Sequence, residues 1–529
     1  MNERLDFLSN GFEVLIFSFF CIKTKEKTMI FCFDFNLKRI FEKPKMPNQP
    51  ELKRSLGLID ATSIVAGSMI GSGIFIVTAA MSRDVGSAGW MLMLWLITGL
   101  ITVSAALSYG ELAGMMPNAG GQYVYLQRAY GRMISFLYGW TVFTVIQTGL
   151  IAAVAVAFAK YSSVFFPELN NVLLTITRSF QITYAQILAM ASIVFLSYIN
   201  SRGIRSGKTI QLIFTSAKLF ALFALIILGL AVGLKGDTIV QNFHDMWSAS
   251  KTTLTDGVVT VVPLVGFALM GAMGATIINS LFSSDAWNNV TFIAAEIKDP
   301  KKNIPRSLFL GTFIVTIIYI LANIAYLALL PMKGSPGAAD VLGQGIMFSS
   351  NDRVGAAAAS VIFGNPAVYM MAALIMISTF GCNNGIVLGG SRLFYAMAKD
   401  GLFFKKAETL NKNQVPAKAL WFQCIWACVL CLSGKYNDLL TYATFASLLF
   451  YILTIAGVFI LRKKEPDTER PYKAFGYPVI PALYILVTAA ICIDLLIYDT
   501  KNTGLGLLIV LLGIPVYYLT QKKPSQSNL

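Results

Sequence analysis

Gly71, Ser72 and Gly73 form a glycine-serine-glycine triplet in the middle of an apolar run from Leu56 to Met81. That run otherwise reads as a membrane-spanning helix. Two glycines around a serine weaken a helix, and lipid offers no substitute hydrogen bonds, so such a break persists where it lines a protein-walled cavity. Backbone amides freed at Ser72 and Gly73 would lie at the N-terminus of a half-helix beginning at Ile74, where the helix dipole favours an anion such as a carboxylate. The same glycines also fit a small-residue packing face, Gly67 with Gly71 at four-residue spacing.

A second polar interruption, Ser280 to Asn289, lies in a later apolar stretch and contains Phe282, Asp285 and Asn288. A carboxylate at membrane depth is costly and faces a cavity or a partner. Carbonyls freed here, with those near Met69 and Ile70, could accept hydrogen bonds from an ammonium group. The two breaks together offer complementary poles for a zwitterion, and paired interrupted helices are the best sequence pointer to a secondary transporter's binding site. The alternative for Asp285 is an interfacial residue at the end of a shorter span.

Lys218 falls about midway along another apolar segment, too far from either end to reach water comfortably by snorkelling. A buried ammonium needs acceptors, and the carbonyls exposed by the first break would serve. There it could act as a fixed positive charge linking two helices, or titrate and couple transport to protons. A tilted span bringing Lys218 near an interface is the alternative.

These groups need a membrane scaffold, and the composition supplies one. Of 529 residues, 56% are hydrophobic and only 13% charged, whereas soluble domains run near a quarter charged. The net charge of +15 comes from short basic clusters between apolar segments, which read as topology signals rather than a nucleic-acid surface. Twelve spans are predicted, at about 56–82, 88–113, 132–160, 184–200, 206–233, 258–290, 308–331, 366–398, 418–433, 436–461, 477–498 and 503–520. Leaving residues 1–45 aside, one set of connections carries 24 basic residues against nine on the other, which places both termini in the cytoplasm.

Residues 1–45 differ in character. The run Gly11 to Ile22 is too short to span a membrane and lacks a small-residue cleavage site, so it is a poor signal peptide. The preferred reading is translation from Met46, with an amphipathic cytoplasmic anchor as the alternative, leaving 46–529 as a single domain.

The chain resembles the amino acid, polyamine and organocation transporter superfamily, most closely its L-type amino acid transporter branch and bacterial relatives. The resemblance runs from Leu52 to Lys523 and rests on five motifs in order: Ile70 to Phe75, Glu111 to Tyr125, Glu296 to Pro305, Ser378 to Gly385 with Ser391 to Phe394, and Arg470 to Lys473. It implies an all-α membrane protein with a five-plus-five inverted repeat, about 56–233 and 258–461, helices one and six broken, and two peripheral helices at 477–520. It implies that Gly71, Ser72 and Gly73 bind the substrate carboxylate, and that carbonyls of Met69, Phe282 and Asp285, beside Ile70, hold the amine. Phe282 resembles the gating aromatic, Asn288 a polar residue close to substrate, and Lys218 the lysine used in place of sodium.

Two departures stand out. Ser284, Asp285 and Ala286 occupy positions where close relatives have a tyrosine and two glycines, which points to small neutral substrates such as alanine, serine or glycine. A basic amino acid or polyamine, or proton coupling through Asp285, is the alternative. The loop Tyr161 to Tyr184 contains no cysteine, so no disulfide-linked ancillary subunit is expected, and a stand-alone prokaryotic cell-membrane protein is. No enzyme activity, cofactor or metal site is expected. Cys428 and Cys431 read as buried small hydrophobes, His244 has no catalytic partners, and no phosphate-binding Gly-x-x-x-x-Gly-Lys motif is present. A receptor with a degenerate site remains the reading from another class.

Overall fold

Apolar stretches of this length fold as helices because only a helix satisfies every backbone polar group within its own segment. The computed structural model describes residues 52–177, 180–255, 257–432, 436–498 and 500–520; the expected extension at 1–45 lies outside them. The first helices are α1 (Leu58–Met69), α2 (Val77–Val85), α3 (Ala88–Met115), α4 (Gln122–Tyr130), α5 (Arg132–Thr141) and α6 (Gln147–Ser162). A π-helical turn, Val142–Ile146, joins α5 to α6 into one long span. There follow α7 (Tyr184–Ser201), α8 (Ile204–Gly233), α9 (Thr238–His244), α10 (Gly266–Ser283), α11 (Asn289–Phe292), α12 (Pro300–Leu329), α13 (Val341–Gln344), α14 (Val354–Phe363), α15 (Ala367–Lys399), α16 (Ala417–Leu432), α17 (Tyr436–Lys464), α18 (Val479–Tyr498) and α19 (Thr500–Thr520).

Among the described residues, ten helices are long and apolar enough to cross a membrane. The two remaining stretches of the expected twelve are the first, divided into α1 and α2, and α16, which is a shorter apolar helix. Two antiparallel hairpins correct the all-α expectation: β1 (Val172–Thr177) with β2 (Phe180–Thr183), and β3 (Ser250–Thr255) with β4 (Val258–Pro263). The second hairpin takes the beginning of the expected span 258–290, whose helix starts only at Gly266. Val258, Val259, Val261 and Val262 raise the hydropathy of that stretch, but β-branched side chains fit a strand better than a helix.

The interior is ordered by α12 and α15. The former packs on α1, α3 and α8, the latter on α1, α6 and α8. Large apolar side chains such as Leu100, Phe220, Ile227, Phe267 and Leu486 face outward, as expected of a surface solvated by lipid. Polar residues are drawn inside instead. Arg392 and Glu296 form a fully buried ion pair at 2.7 Å. The Glu296 carbonyl also accepts the amides of Ser55 and Leu56, tying the entry of α1 to the segment after α11. Helix starts follow local chemistry: Ser87 caps α3 by accepting the Trp90 amide, and Thr183 with Gln186 forms a capping box on α7.

Candidate binding site at two helix breaks

The first break is a true interruption. Helix α1 stops at Met69, Ile70 is extended, and a single 3-10 turn, Gly73–Phe75, precedes α2 at Val77. The amides of Gly71 and Ser72 donate to no backbone carbonyl among the described residues. The half-helix anticipated at Ile74 is therefore this 3-10 turn followed by α2. Gly73 is pressed against the second break: a Cβ there would lie 2.2 Å from Ser283 Oγ and 3.2 Å from the Ser283 Cα. Only a residue without a side chain permits that approach.

Carbonyls released by the break are met by donors from three helices. Lys218, from α8, is fully buried and donates from Nζ to the Gly67 and Ile70 carbonyls, both at 2.6 Å, with Ser378 O at 3.4 Å. From α15, Ser378 Oγ donates to Ile70 O at 3.1 Å and to Gly71 O at 3.0 Å, and Cys382 Sγ donates to Ser68 O at 2.9 Å. The hydroxyl of Tyr319, from α12, lies 3.2 Å from Met69 O and 3.0 Å from Ser283 O, so one side chain spans both breaks. Buried carbonyls are costly to leave unpaired, and these donors hold the broken segment in one shape.

The second break begins where α10 ends at Ser283. Ser284 and Asp285 turn back on it, their amides donating hydrogen bonds to Ser280 O and Phe282 O, and Ala286 adopts a left-handed conformation, φ 66°. Such a φ is strained for a residue with a Cβ. Asp285 is buried; its Oδ1 accepts the Tyr451 hydroxyl at 2.6 Å. Asn288 donates from Nδ2 to Gln122 Oε1 at 2.9 Å, and Gln122 in turn donates to Thr454 Oγ1 at 3.0 Å. Trp287 packs edge-on against Tyr109, 4.8 Å between centroids, and tilted against Tyr451 at 5.3 Å. Phe282 is half-buried and packs against a separate hydrophobic cluster that includes Ala286 and Phe292.

Two narrow crevices meet at Asp285. One is lined by Gln122, Tyr138, Gln147 and Asn288, the other by Thr102, Ser284, Trp287 and Thr444, and Ser447 and Tyr451 border both. Among the described residues Asp285 has no ion-pair partner. The structure thus brings Met69, Ile70, Gly71, Ser72, Gly73 and Lys218 together at one break and Phe282, Asp285 and Asn288 at the other, with Gly73 against Ser283 as the point of contact. Sequence reasoning assigned no role to Tyr319, Tyr451, Gln122, Ser378 or Cys382. The last three lie inside the quoted motifs, so a signal for them was present; the two tyrosines carry none.

A family model described as amino acid permease matches residues 56–516. The chain is 31% identical over 492 residues to the large neutral amino acids transporter small subunit 2 of Mus musculus, covering 90% of this chain and 83% of that protein. It is 28% identical over 496 residues to the b(0,+)-type amino acid transporter 1 of Mus musculus, covering 92% of each. With the Asc-type amino acid transporter 1 of Mus musculus it shares 29% identity over 474 residues, 88% of this chain and 81% of the relative. These relatives are mammalian and give no support to a prokaryotic origin.

Proposed function

The chain belongs to the amino acid permease family, a multi-pass membrane transporter of amino acids rather than an enzyme, and on that premise we propose a sodium-independent secondary transporter of small neutral L-amino acids working by alternating access. The observation that carries the reading is Lys218, a buried ammonium 2.6 Å from two carbonyls of the first break. A fixed positive charge there does the linking that a bound cation would otherwise do. In this proposal the amides of Gly71, Ser72 and Gly73 take the substrate carboxylate, and the carbonyls of Met69, Ile70, Phe282 and Asp285 surround its amine. Phe282 covers the bound substrate, and Asn288, held by Gln122, borders it.

The scaffold belongs to the same proposal: one transporter domain over 46–529, twelve spans in a five-plus-five inverted repeat with two peripheral helices, and both termini in the cytoplasm. The excess of basic residues on one set of loops supports that orientation. The cysteine-free loop from Tyr161 to Tyr184 supports a chain that works without a disulfide-linked ancillary subunit.

A second reading is favoured by one observation: Asp285 is a buried carboxylate with a tyrosine donor and no cationic partner among the described residues. A basic amino acid or polyamine would supply that cation. Uptake of labelled alanine into proteoliposomes preloaded with alanine, arginine or nothing, with and without an inward proton gradient, separates these readings. Uptake that requires internal neutral amino acid supports an exchanger of that class. Uptake driven by protons into empty vesicles supports a symporter. Stimulation by internal arginine alone supports the second reading, and no uptake under any condition rejects the first.

A further inference from the structure

Hairpin β3–β4 presents an apolar surface at odds with its place outside the helical core. Val258, Val259, Val261 and Val262 of β4 are all exposed, from 38% to 65%, and they lie on both faces of the strand because successive side chains alternate. A strand apolar on both faces is normally covered on both. The inner strand β3 differs. Ser250 and Thr252 are buried, and a Cβ on Gly86, at the end of α2, would lie 2.2 Å from Ser250 Oγ. The chain leading into β3 is fastened as well: Met246 O accepts the Gly89 amide and Ser87 Oγ, and Trp247 O accepts Trp90 Nε1. The hairpin is thus fixed to α2 and the start of α3 through β3, with β4 turned away from the protein.

We infer that β4 rests on the lipid bilayer, its valines seated in the boundary between headgroups and acyl chains beside the first turn of α10. Two observations select lipid as the occupant. Only Leu264 and Val265 separate β4 from α10, a membrane-crossing helix. The chain stays apolar and outward-facing across that join, with Val265 78%, Phe267 89% and Met270 66% exposed, so the valine surface is continuous with the lipid-facing surface of the span. Lys251, directly across from Val262 and exposed, is placed to meet headgroup phosphates. The free edge of β4 carries backbone groups that hydrocarbon cannot satisfy, which sets the hairpin at the interface rather than deeper. The seat fastens the outer half of the broken helix, through β3, to the membrane surface.

The test uses the full chain in phosphatidylcholine vesicles with a diazirine-bearing amino acid placed at position 261. Position 267 serves as the lipid-facing reference, and position 168, exposed in the 3-10 turn Pro167–Asn170, as the water-facing one. After illumination, phospholipid adducts at 261 are expected to match those at 267 and to exceed those at 168 by at least about fivefold. Adduct yields as low as at position 168 overturn the inference, because the strand is then in water. Crosslinks from 261 to a second copy of the chain also overturn it and make the strand a protein interface. Position 262, on the opposite face of β4 and 53% exposed, gives the same readout if substitution at 261 prevents folding.

Discussion

Lys218 Nζ and the Ile70 carbonyl oxygen lie 2.6 Å apart, and the Gly67 carbonyl oxygen is at the same distance from the ammonium. This one amine therefore ties α8 to the end of α1 at the point where α1 loses its own hydrogen bonds. In Lys218→Ala the Gly67 carbonyl loses its side-chain donor, while Ser378 still serves Ile70. An orphaned buried acceptor costs about 1–3 kcal/mol. Alanine uptake by this variant in proteoliposomes is expected to fall by about tenfold or more, and unchanged uptake would remove Lys218 from the account.

The two glycines of the triplet are not equivalent. A methyl group on Gly73 collides with Ser283, backbone included, whereas on Gly71 it makes an ordinary contact of 3.4 Å with Cys382 Sγ. Gly73→Ala is expected to push the breaks apart and abolish uptake in protein that still elutes as a single species. Gly71→Ala should keep a substantial part of the rate. Equal effects of the two substitutions would mean that the breaks need not touch.

Asp285 and Tyr451 set the polarity of both crevices. For a small neutral substrate, Asp285→Asn keeps a hydrogen-bonding group of the same shape and is expected to leave alanine uptake within about fivefold of the parent, since a neutral hydrogen bond differs from a charged one by about 1 kcal/mol. If excess arginine inhibits alanine uptake by the parent and not by the variant, Asp285 selects cations and the second reading replaces the first. Tyr451→Phe tests the same carboxylate from the other side by withdrawing its donor.

Outside the membrane, Arg128 grips Glu465 through two bonds, of 2.9 Å and 2.5 Å. The hydrogen bonds from Arg128 hold the Glu465 carboxyl below its ordinary value of 4.5. A depressed carboxylate pKa contributes stability that is complete above the unfolded value and is lost as pH falls through the lower, folded one. The difference in thermal stability between the parent and Glu465→Gln should be constant from pH 8 to about pH 6 and vanish in stronger acid. Both side chains are partly exposed, so its size is expected to stay at or under about 1 kcal/mol. A difference that grows on acidification would contradict the pairing.

Much of this was legible in the chain because membrane depth punishes exceptions. Gly71 to Gly73, Asp285 and Lys218 each break a rule that the surrounding apolar sequence obeys, and each lies at or beside a break. Tyr319 and Tyr451 break no rule. A tyrosine in an apolar helix is ordinary, and only the packing of α12 and α17 reveals that their hydroxyls reach Met69, Ser283 and Asp285. The hairpin Ser250–Pro263 misled for a related reason: its valines raise hydropathy as leucines would, and hydropathy does not separate a β-branched strand from the first turns of a helix. The left-handed Ala286 was equally hidden, since alanine advertises no such conformation.

The most direct test of the central claim is the rate of alanine uptake into proteoliposomes with sodium present and with potassium in its place, for the parent and for Lys218→Ala. The account predicts equal rates for the parent in the two salts and a large loss in the variant in both. A parent that transports only with sodium would contradict it, because the ion and not Lys218 would then supply the charge at the broken helix.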